Sequence, residues 1–145
     1  GGRGKLLADL DDAPVIRRVV DAVLSVGFAE VLAVTGAEDA SIRRALVGAD
    51  LLVTHAPDWA EGMAATLRTG IAMLAPEAAG VCVFLGDMPL VPVQLCPALT
   101  AAAERAGYAA RPRIDGKPGH PVALTRAAFV DLMRLEGDQG AASIL

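Results

Sequence analysis

Short apolar runs rich in β-branched residues alternate along this chain with segments whose apolar residues recur at helical spacing. The runs are 30–35, 50–55 and 80–85, and the helical segments are 14–26, 38–47, 60–74 and 92–105. This alternation predicts strands connected by helices, and hence a mostly parallel sheet covered by helices on both faces. The length of 145 residues suits one such α/β domain. We expect the most continuous apolar run, 80–85, to be its central strand.

The last third of the chain departs from this pattern. Segments 108–114 and 121–124 flank a turn of sequence Asp-Gly-Lys-Pro-Gly at 115–119. Such turn residues between two strand-like segments predict a hairpin-like excursion near 108–124. Thr125 is expected to cap a final helix over 126–135, and Asp11 or Asp12 to cap the first helix.

Composition and charge exclude several classes of protein. The net charge is −4 with no basic cluster, so nucleic acid is not expected as a partner. The mean hydropathy is +0.47, but every apolar run is far shorter than the roughly 20 residues of a membrane-spanning helix. Two cysteines are too few for a disulfide framework, and Cys82 is expected to be a buried apolar residue. With no signal-peptide pattern, we expect a cytoplasmic protein.

Ligands of open α/β folds bind beyond the carboxyl ends of the strands, which directs attention to the loops after Thr35, His55 and Leu85 and to the turn after Ile114. Asp87 follows the strand 80–85 directly, in the sequence Gly-Asp-Met-Pro. A carboxylate there suits Mg²⁺ bound together with substrate phosphates. Capping of the next helix explains Asp87 equally well from these residues alone.

Two glycine-containing segments suggest contacts with phosphate. Residues 1–5 are rich in glycine and end in Lys5, as in loops whose amides surround phosphates. From these residues alone, a flexible terminus is the favoured interpretation. Gly62 opens the helix 60–74 and leaves room for a ligand to approach the backbone. Trp59, the only tryptophan, is expected to pack this loop on the core.

His120 and Asp138 stand in unusual turns. His120 lies between Gly119 and Pro121, where it suits either a general base or a residue that shapes a pocket. Asp138 follows a predicted helix in the sequence Gly-Asp-Gln-Gly-Ala. From the residues alone, a helix stop followed by a new cap is the favoured interpretation of Asp138.

Five segments, taken together and in this order, resemble the nucleotidyltransferase family that makes dinucleotide forms of the molybdenum cofactor. They are Gly-Arg-Gly-Lys-Leu-Leu at 2–7, Asp-Trp-Ala-Glu-Gly-Met at 58–63, Gly-Asp-Met-Pro at 86–89, Pro-Gly-His-Pro-Val at 118–122 and Gly-Asp-Gln-Gly-Ala at 137–141. The last two resemble the cytidylyltransferase branch. The resemblance extends over essentially the whole chain.

The resemblance implies a single Rossmann-like three-layer domain that transfers CMP from CTP to molybdopterin and releases pyrophosphate. It implies Mg²⁺ as the cofactor, CTP and molybdopterin as substrates, and a molybdenum enzyme as recipient of the product. The residues it assigns are Lys5 as the catalytic cation; Gly2, Arg3, Gly4, Lys5, Gly62, Met63 and Thr66 for the nucleotide; Asp87 and Asp138 for the metal; and Gly119, His120 and Pro121 for the acceptor. Such transfer requires mainly positioning and neutralisation of charge.

The chain also departs from the family pattern. The family begins with an apolar strand and a longer glycine-rich loop, and it continues beyond the segment that ends here at Leu145. We therefore expect residues 1–145 to form a nucleotidyltransferase domain that lacks the family's first strand and its C-terminal end. Two alternatives stay open, namely a related nucleotidyltransferase that uses GTP or another acceptor, and a non-catalytic carrier or chaperone for the cofactor.

Overall fold

The computed structural model of the chain describes residues 9–10, 13–87 and 92–145. The strands are β1 (Asp9–Leu10), β2 (Ala13–Pro14), β3 (Leu32–Thr35), β4 (Leu52–His55), β5 (Gly80–Val83), β6 (Ala109–Ala110), β7 (Arg113–Ile114), β8 (Lys117–Pro118) and β9 (Val122–Thr125). The α-helices are α1 (Val15–Leu24), α2 (Asp39–Ala45), α3 (Met63–Met73), α4 (Cys96–Ala106) and α5 (Phe129–Leu132). Short 3₁₀ turns cover Trp59–Glu61, Val93–Leu95, Arg126–Ala128 and Ala141–Ile144.

The strands form a mixed arrangement, and the α/β class is confirmed. Strands β3 and β4 pair in parallel, whereas β9 pairs antiparallel with β5 on one side and with β6 on the other. The β7–β8 pair extends this second unit into the predicted hairpin-like excursion. The expectation of a mostly parallel sheet is met, in the described part of the chain, only by β3 and β4. The reason is that β9 returns directly from the excursion, and such a short connection permits only antiparallel pairing.

Strand β9, not β5, is central in the described sheet. Val122, Ala123 and Leu124 are at most 2% exposed, while β5 is half-buried and is paired there with β9 alone. Placing 80–85 at the centre was therefore wrong for this sheet. The short run 121–124 has neighbours on both sides and is the more deeply buried of the two.

The predicted helices are present, but their ends differ from the predictions. The helix expected over 60–74 is interrupted by Gly62, whose φ of 120° is not helical. Pro14 occupies the cap position of α1, so neither Asp11 nor Asp12, which lie outside the described residues, fills it. Thr125 does not cap the last helix, because its hydroxyl donates to the Tyr108 carbonyl at 3.2 Å. The segment 126–135 forms a 3₁₀ turn followed by the single turn α5.

Three apolar clusters hold the helices against the strands, and the third of them packs α4 on β9 through Leu99, Ala103 and Ala123. The first joins α3, β9 and α5 around the fully buried Leu132 and Val122. The second joins α1 and α2 to the β3–β4 pair through Val20, Ile42 and Leu46. Burial of such side chains is the main favourable term in folding, and here it fixes the carboxyl ends of β3, β4 and β5 relative to their covering helices.

No described helix combines the length and the apolar character needed to cross a membrane. Cys96 is buried at the start of α4, and Cys82 on β5 is half-buried against the cluster formed by α4 and β9. Burial raises the pKa of both thiols. Both therefore stay protonated at neutral pH, as expected for cysteines that serve as small apolar residues.

Candidate active site

The parallel strands β3 and β4 end together at a polar cluster. Thr35 and His55 are register partners there, and the Thr35 hydroxyl donates to Asp39 Oδ1 at 2.5 Å. Arg43 Nε donates to the same oxygen at 2.8 Å. These two hydrogen bonds, that from Thr35 first, lower the pKa of Asp39. Thr35 is only 2% exposed, so the loop after β3 is fixed to α2 by a charge-assisted hydrogen bond from a buried hydroxyl.

Trp59 covers the loop that follows this cluster. A Cβ atom on Gly36 would lie 3.1 Å from Trp59 Cβ, so the indole packs closely on the glycine backbone. Trp59 is nevertheless 42% exposed. The prediction that this tryptophan packs a loop is confirmed, and its exposed part leaves a flat apolar surface beside the carboxyl ends of the parallel strands.

The start of α3 is in direct contact with the turn that follows α5. Gly62 adopts φ 120° and ψ −176°, a region open essentially only to glycine. A Cβ atom there would overlap the Gly137 carbonyl and lie 2.7 Å from Asp138 Oδ1. The amide of Ala64 donates to the Gly137 carbonyl at 3.0 Å. Two segments far apart in the sequence, 58–63 and 137–141, therefore form one surface.

The remaining predicted residues of α3 extend this surface. Met63 is 43% exposed, and its side chain lies 3.7 Å from the Cβ position of Gly140. Thr66 is half-buried one turn further along the helix. The first amides of a helix attract anions, since they are without helical partners and lie at the positive end of the helix dipole. The Ala64 amide, which is one of these first amides, already donates to the Gly137 carbonyl and so holds the Asp138 turn.

Strand β5 brings Asp87 beside the His120 turn. Val83 pairs with Val122 in the antiparallel ladder, so the residues after Val83 run along those before Val122. Asp87 is half-buried at this edge. Burial, and then the charge of Arg111, lower the pKa of His120, while the nearby Asp87 carboxylate acts in the opposite direction. His120 is therefore a neutral imidazole at pH 7, next to a carboxylate.

The His120 turn is held rigidly. Gly119 donates its amide to the Pro112 carbonyl at 2.8 Å and accepts from Arg111 Nε at 3.2 Å. The His120–Pro121 peptide bond is cis, and Pro121 is fully buried. Ile114 packs on Gly119, where a Cβ atom would lie 2.8 Å from Ile114 Cδ1, so a larger residue at 119 would have to displace the end of the Ile114 side chain. The predicted acceptor residues therefore form one preorganised turn beside Asp87.

Two groups of the predicted site residues lie in the described part of the chain, and a third group lies outside it. Gly62, Met63, Thr66 and Asp138 belong to the first surface, and Asp87, Gly119, His120 and Pro121 to the second. The glycine-rich residues Gly2, Arg3, Gly4 and Lys5 lie outside the described residues. Joint metal binding by Asp87 and Asp138 stays a prediction.

The carboxylate donors fit a hard cation that keeps most of its water. Among residues 9–10, 13–87 and 92–145, no group of three or more His, Cys, Asp or Glu side chains is arranged to hold a metal. Mg²⁺ does not require such a group, because it is commonly bound by one or two carboxylates plus substrate phosphates. Half-buried Asp87 is a donor of this kind.

Sequence reasoning pointed to the loops after Thr35 and His55 without naming Asp39, and it overlooked Arg111. The available signal for Asp39 was its position four residues after Thr35, the last residue of a strand. A helix that begins at Asp39 places its first turn beside the end of that strand, within reach of the threonine hydroxyl. Nothing in the local sequence marks Arg111, because its position depends on the pairing of β6 with β9.

An open cleft of about 560 Å³ adjoins the Gly137 turn. It is lined by Glu61, Arg68, Met133, Arg134, Leu135, Glu136 and Gly137. Arg68 donates to the Leu135 carbonyl across this cleft and so connects α3 to the segment after α5. None of the predicted site residues lines the cleft. The Arg68 hydrogen bond helps to hold the segment that leads to Asp138.

Comparisons with solved structures find close structural likeness. Rv0371c from Mycobacterium tuberculosis H37Rv, in a complex with manganese, is 27% identical with a TM-score of 0.79, over 97% of this chain and 73% of that one. A second structure of Rv0371c is 28% identical with a TM-score of 0.83, over 97% of this chain and 71% of that one. A nucleotidyl transferase from Methanothermobacter thermautotroptrophicus, Mth528, is 25% identical with a TM-score of 0.76, over 92% of this chain and 65% of that one.

The family comparison covers the whole sequence. No curated protein sequence matches the chain significantly. The MobA-like NTP transferase domain, in contrast, matches residues 1–145. This match includes all five segments on which the family resemblance was based, and two of those segments are in contact at Gly62 and Gly137. The chain belongs to the family of MobA-like NTP transferase domains.

Proposed function

We propose that this protein transfers CMP from CTP to molybdopterin and releases pyrophosphate, giving the cytosine dinucleotide form of the cofactor. The observation that carries the proposal is the contact of Gly62 with Gly137 and Asp138, which joins two motif segments into one surface. Membership of the MobA-like NTP transferase family supports nucleotidyl transfer. The choice of CTP is supported by segments 118–122 and 137–141, which resemble the cytidylyltransferase branch.

The nucleotide is proposed to bind at the start of α3. Gly62 allows close approach to the backbone there, and Met63 offers an exposed apolar side chain beside it. Thr66 presents a hydroxyl one turn on. The glycine-rich residues Gly2, Arg3 and Gly4 are proposed to surround the triphosphate, with Lys5 neutralising its charge. The parallel pair β3–β4 with α3 packed on it supports a Rossmann-like three-layer arrangement for this half.

The metal is proposed to be Mg²⁺, held by Asp87 and Asp138. Both are hard oxygen donors, and Mg²⁺ completes its shell with water and phosphate oxygens. When bound, the ion would neutralise charge on the triphosphate. The manganese complex of Rv0371c supports a divalent cation in a protein of similar fold, because Mn²⁺ favours the same oxygen ligands as Mg²⁺.

The acceptor is proposed to lie on the turn formed by Gly119, His120 and Pro121. An oxygen of the molybdopterin phosphate attacks the α-phosphorus of CTP, and the bond from that phosphorus to the bridging oxygen of the β-phosphate breaks. Pyrophosphate leaves with the bond's electron pair. Neutral His120 can donate a hydrogen bond to the acceptor without itself carrying charge. We further propose a cytoplasmic setting and delivery of the product to a molybdenum enzyme.

A thermal-shift series tests the nucleotide part of this proposal. The protein is heated with CTP, GTP, ATP or UTP, each with and without Mg²⁺. A ligand at about 100 times its Kd stabilises the fold by roughly 2.7 kcal/mol, which raises the Tm of a domain of this size by roughly 5–10 °C. We expect that rise with CTP and Mg²⁺ only. A rise confined to GTP would replace CTP in the proposal, and no rise with any nucleotide would contradict it.

A further inference from the structure

Three strand ends meet at the edge of the β5–β9–β6 sheet. Strands β5 and β6 are both antiparallel to β9, so they are parallel to each other and end at the same edge. Asp87 follows β5 on one side of this edge, and Arg111 follows β6 on the other. The His120 turn, which leads into β9, lies between them. A carboxylate, an imidazole and a guanidinium therefore flank one position.

Arg111 differs from the other arginine of this region in how it is held. It is half-buried, and its Nε donates to the Gly119 carbonyl at 3.2 Å. Arg113 is exposed, and its Nη1 donates to the Gly116 carbonyl at 2.9 Å at the end of the hairpin. Arg111 therefore has its guanidinium fixed on the turn, whereas Arg113 caps the hairpin in solvent.

The Arg111 cation has no anionic protein partner in the described part of the chain. The ion pairs there join Arg17 to Asp21, Arg43 to Asp39 and His55 to Asp39. The one hydrogen bond of Arg111 within those residues uses Nε and leaves the two Nη groups for another acceptor. A partly buried guanidinium that lacks a carboxylate is costly unless an anion completes it.

We propose that Arg111 binds the phosphate monoester of the acceptor substrate. This inference rests on the proposed function and deepens it by naming the group that recognises the acceptor's charge. A guanidinium presents parallel N–H donors that match two oxygens of a phosphate. Because Nε is tied to Gly119, the Nη groups are oriented together with the His120 turn. The phosphate is thereby held between Arg111 and the edge that carries Asp87.

The proposal makes Arg111 a specificity residue for the acceptor and not for CTP. A phosphate monoester carries close to two negative charges at neutral pH, and in the metal-free protein Asp87 at the same edge would repel it without a compensating cation. The guanidinium supplies that compensation. Acceptors without a phosphate would leave Arg111 unpaired and bind poorly.

Binding of inorganic phosphate tests this site without nucleotide or metal. The chain has only two histidines, His55 and His120, so the two ring proton resonances can be assigned with one variant each. At pH 8, inorganic phosphate is titrated at constant ionic strength, balanced with chloride. We expect a saturable change of the His120 signal and none of the His55 signal. If the signals of both histidines in the unaltered protein change equally, or if neither changes, the proposal is overturned.

Two matched variants localise the effect. Arg111→Gln keeps a hydrogen-bond donor but removes the charge, and should weaken phosphate binding about tenfold or more. Arg113→Gln removes a charge from the neighbouring hairpin position and should bind phosphate as the unaltered protein does. Unchanged binding by Arg111→Gln, or equal weakening by both variants, would show that Arg111 is not the site.

Steady-state kinetics separates the acceptor from the nucleotide. With CTP and molybdopterin, Arg111→Gln should raise the KM for molybdopterin about tenfold and leave the KM for CTP unchanged. A rise in the KM for CTP instead would assign Arg111 to the triphosphate and overturn the proposal. If phosphate binds at Arg111 but no pyrophosphate is released from CTP, the proposed function fails and the anion site stands.

Discussion

Gly62 is the single residue on which the candidate site depends most visibly. Its backbone conformation is open essentially only to glycine, and the Gly137 carbonyl and Asp138 carboxylate occupy the space of a side chain. Gly107 also has a positive φ, 70°, but nothing lies within 4 Å of its Cβ position. The two glycines therefore differ both in backbone strain and in the space that is open to a side chain.

We expect Gly62→Ala to lower the free energy of unfolding by about 3 kcal/mol, from strain plus overpacking. Gly107→Ala should cost roughly 1 kcal/mol, because only the left-handed conformation opposes it. Urea unfolding measures the free energy of unfolding of both variants. In the same samples, Gly62→Ala should lose the CTP-dependent rise in Tm, and Gly107→Ala should keep it. Equal costs for the two variants would show that the contact between α3 and the Asp138 turn is not tight.

Single residues also show what sequence reasoning could and could not provide. Gly62 contacts Gly137, and His120 lies beside Asp87, so some of the residues singled out by the family resemblance are neighbours in pairs. That they form one shared site stays a prediction. The conformation of Gly62 was not predictable, because a glycine near a helix start is compatible with several backbone angles. Arg111 was missed since its role depends on a strand register, which no local pattern encodes.

At the scale of elements, the loop between β3 and α2 is fixed by the Thr35–Asp39 hydrogen bond. That bond lowers the pKa of Asp39 below its ordinary value. The resulting stabilisation is present above the unfolded pKa of 3.8 and is lost as the pH falls through the lower pKa of the folded state. The loop that follows a parallel strand is thus secured only while Asp39 is ionised.

Thr35→Val should destabilise the fold more at pH 7 than at pH 3. Valine keeps the buried volume of Thr35 but cannot donate to the Asp39 carboxylate, and this loss costs most when that carboxylate is charged. Thr69→Val serves as the control, because the Thr69 hydroxyl donates to the Ala65 carbonyl and faces no charge in that bond. Urea unfolding at pH 7, 5 and 3 measures the two differences. A Thr35→Val effect as independent of pH as that of Thr69→Val would refute the coupling to Asp39.

Elements also differ in how well the sequence specifies them. Helix α1 and strands β3 and β4 lie within the predicted segments, because clear periodicity and short β-branched runs mark them. The long helices predicted at 60–74 and 92–105 instead begin with 3₁₀ turns. Proline and glycine residues near the start of each helix indicate that the helix begins irregularly, but they do not indicate that the irregular part is a 3₁₀ turn. Burial of β9 depends on neighbours on both sides, which its own four residues do not reveal.

At the scale of the whole molecule, two units carry the two halves of the candidate site. The β3–β4 unit and α3 present the surface at Gly62, and the β5–β9–β6 sheet presents the edge with Asp87, His120 and Arg111. The cluster around Leu132 joins α3 to β9, so the surface at Gly62, where we propose that the nucleotide binds, and the edge with Asp87, where we propose that the acceptor binds, share one core. A transferase requires this arrangement, because both substrates must be held in line for attack on phosphorus.

Pyrophosphate release from CTP in the presence of Mg²⁺ and molybdopterin is the decisive measurement for the proposed transfer. We predict release that requires all three components. Asp87→Asn should reduce the rate about 100-fold or more, since loss of a metal ligand removes several kcal/mol of stabilisation. Asp115→Asn, at the exposed hairpin tip where asparagine tolerates the φ of 52°, should leave the rate unchanged. No pyrophosphate release, or release by Asp87→Asn at the unaltered rate, would contradict the account.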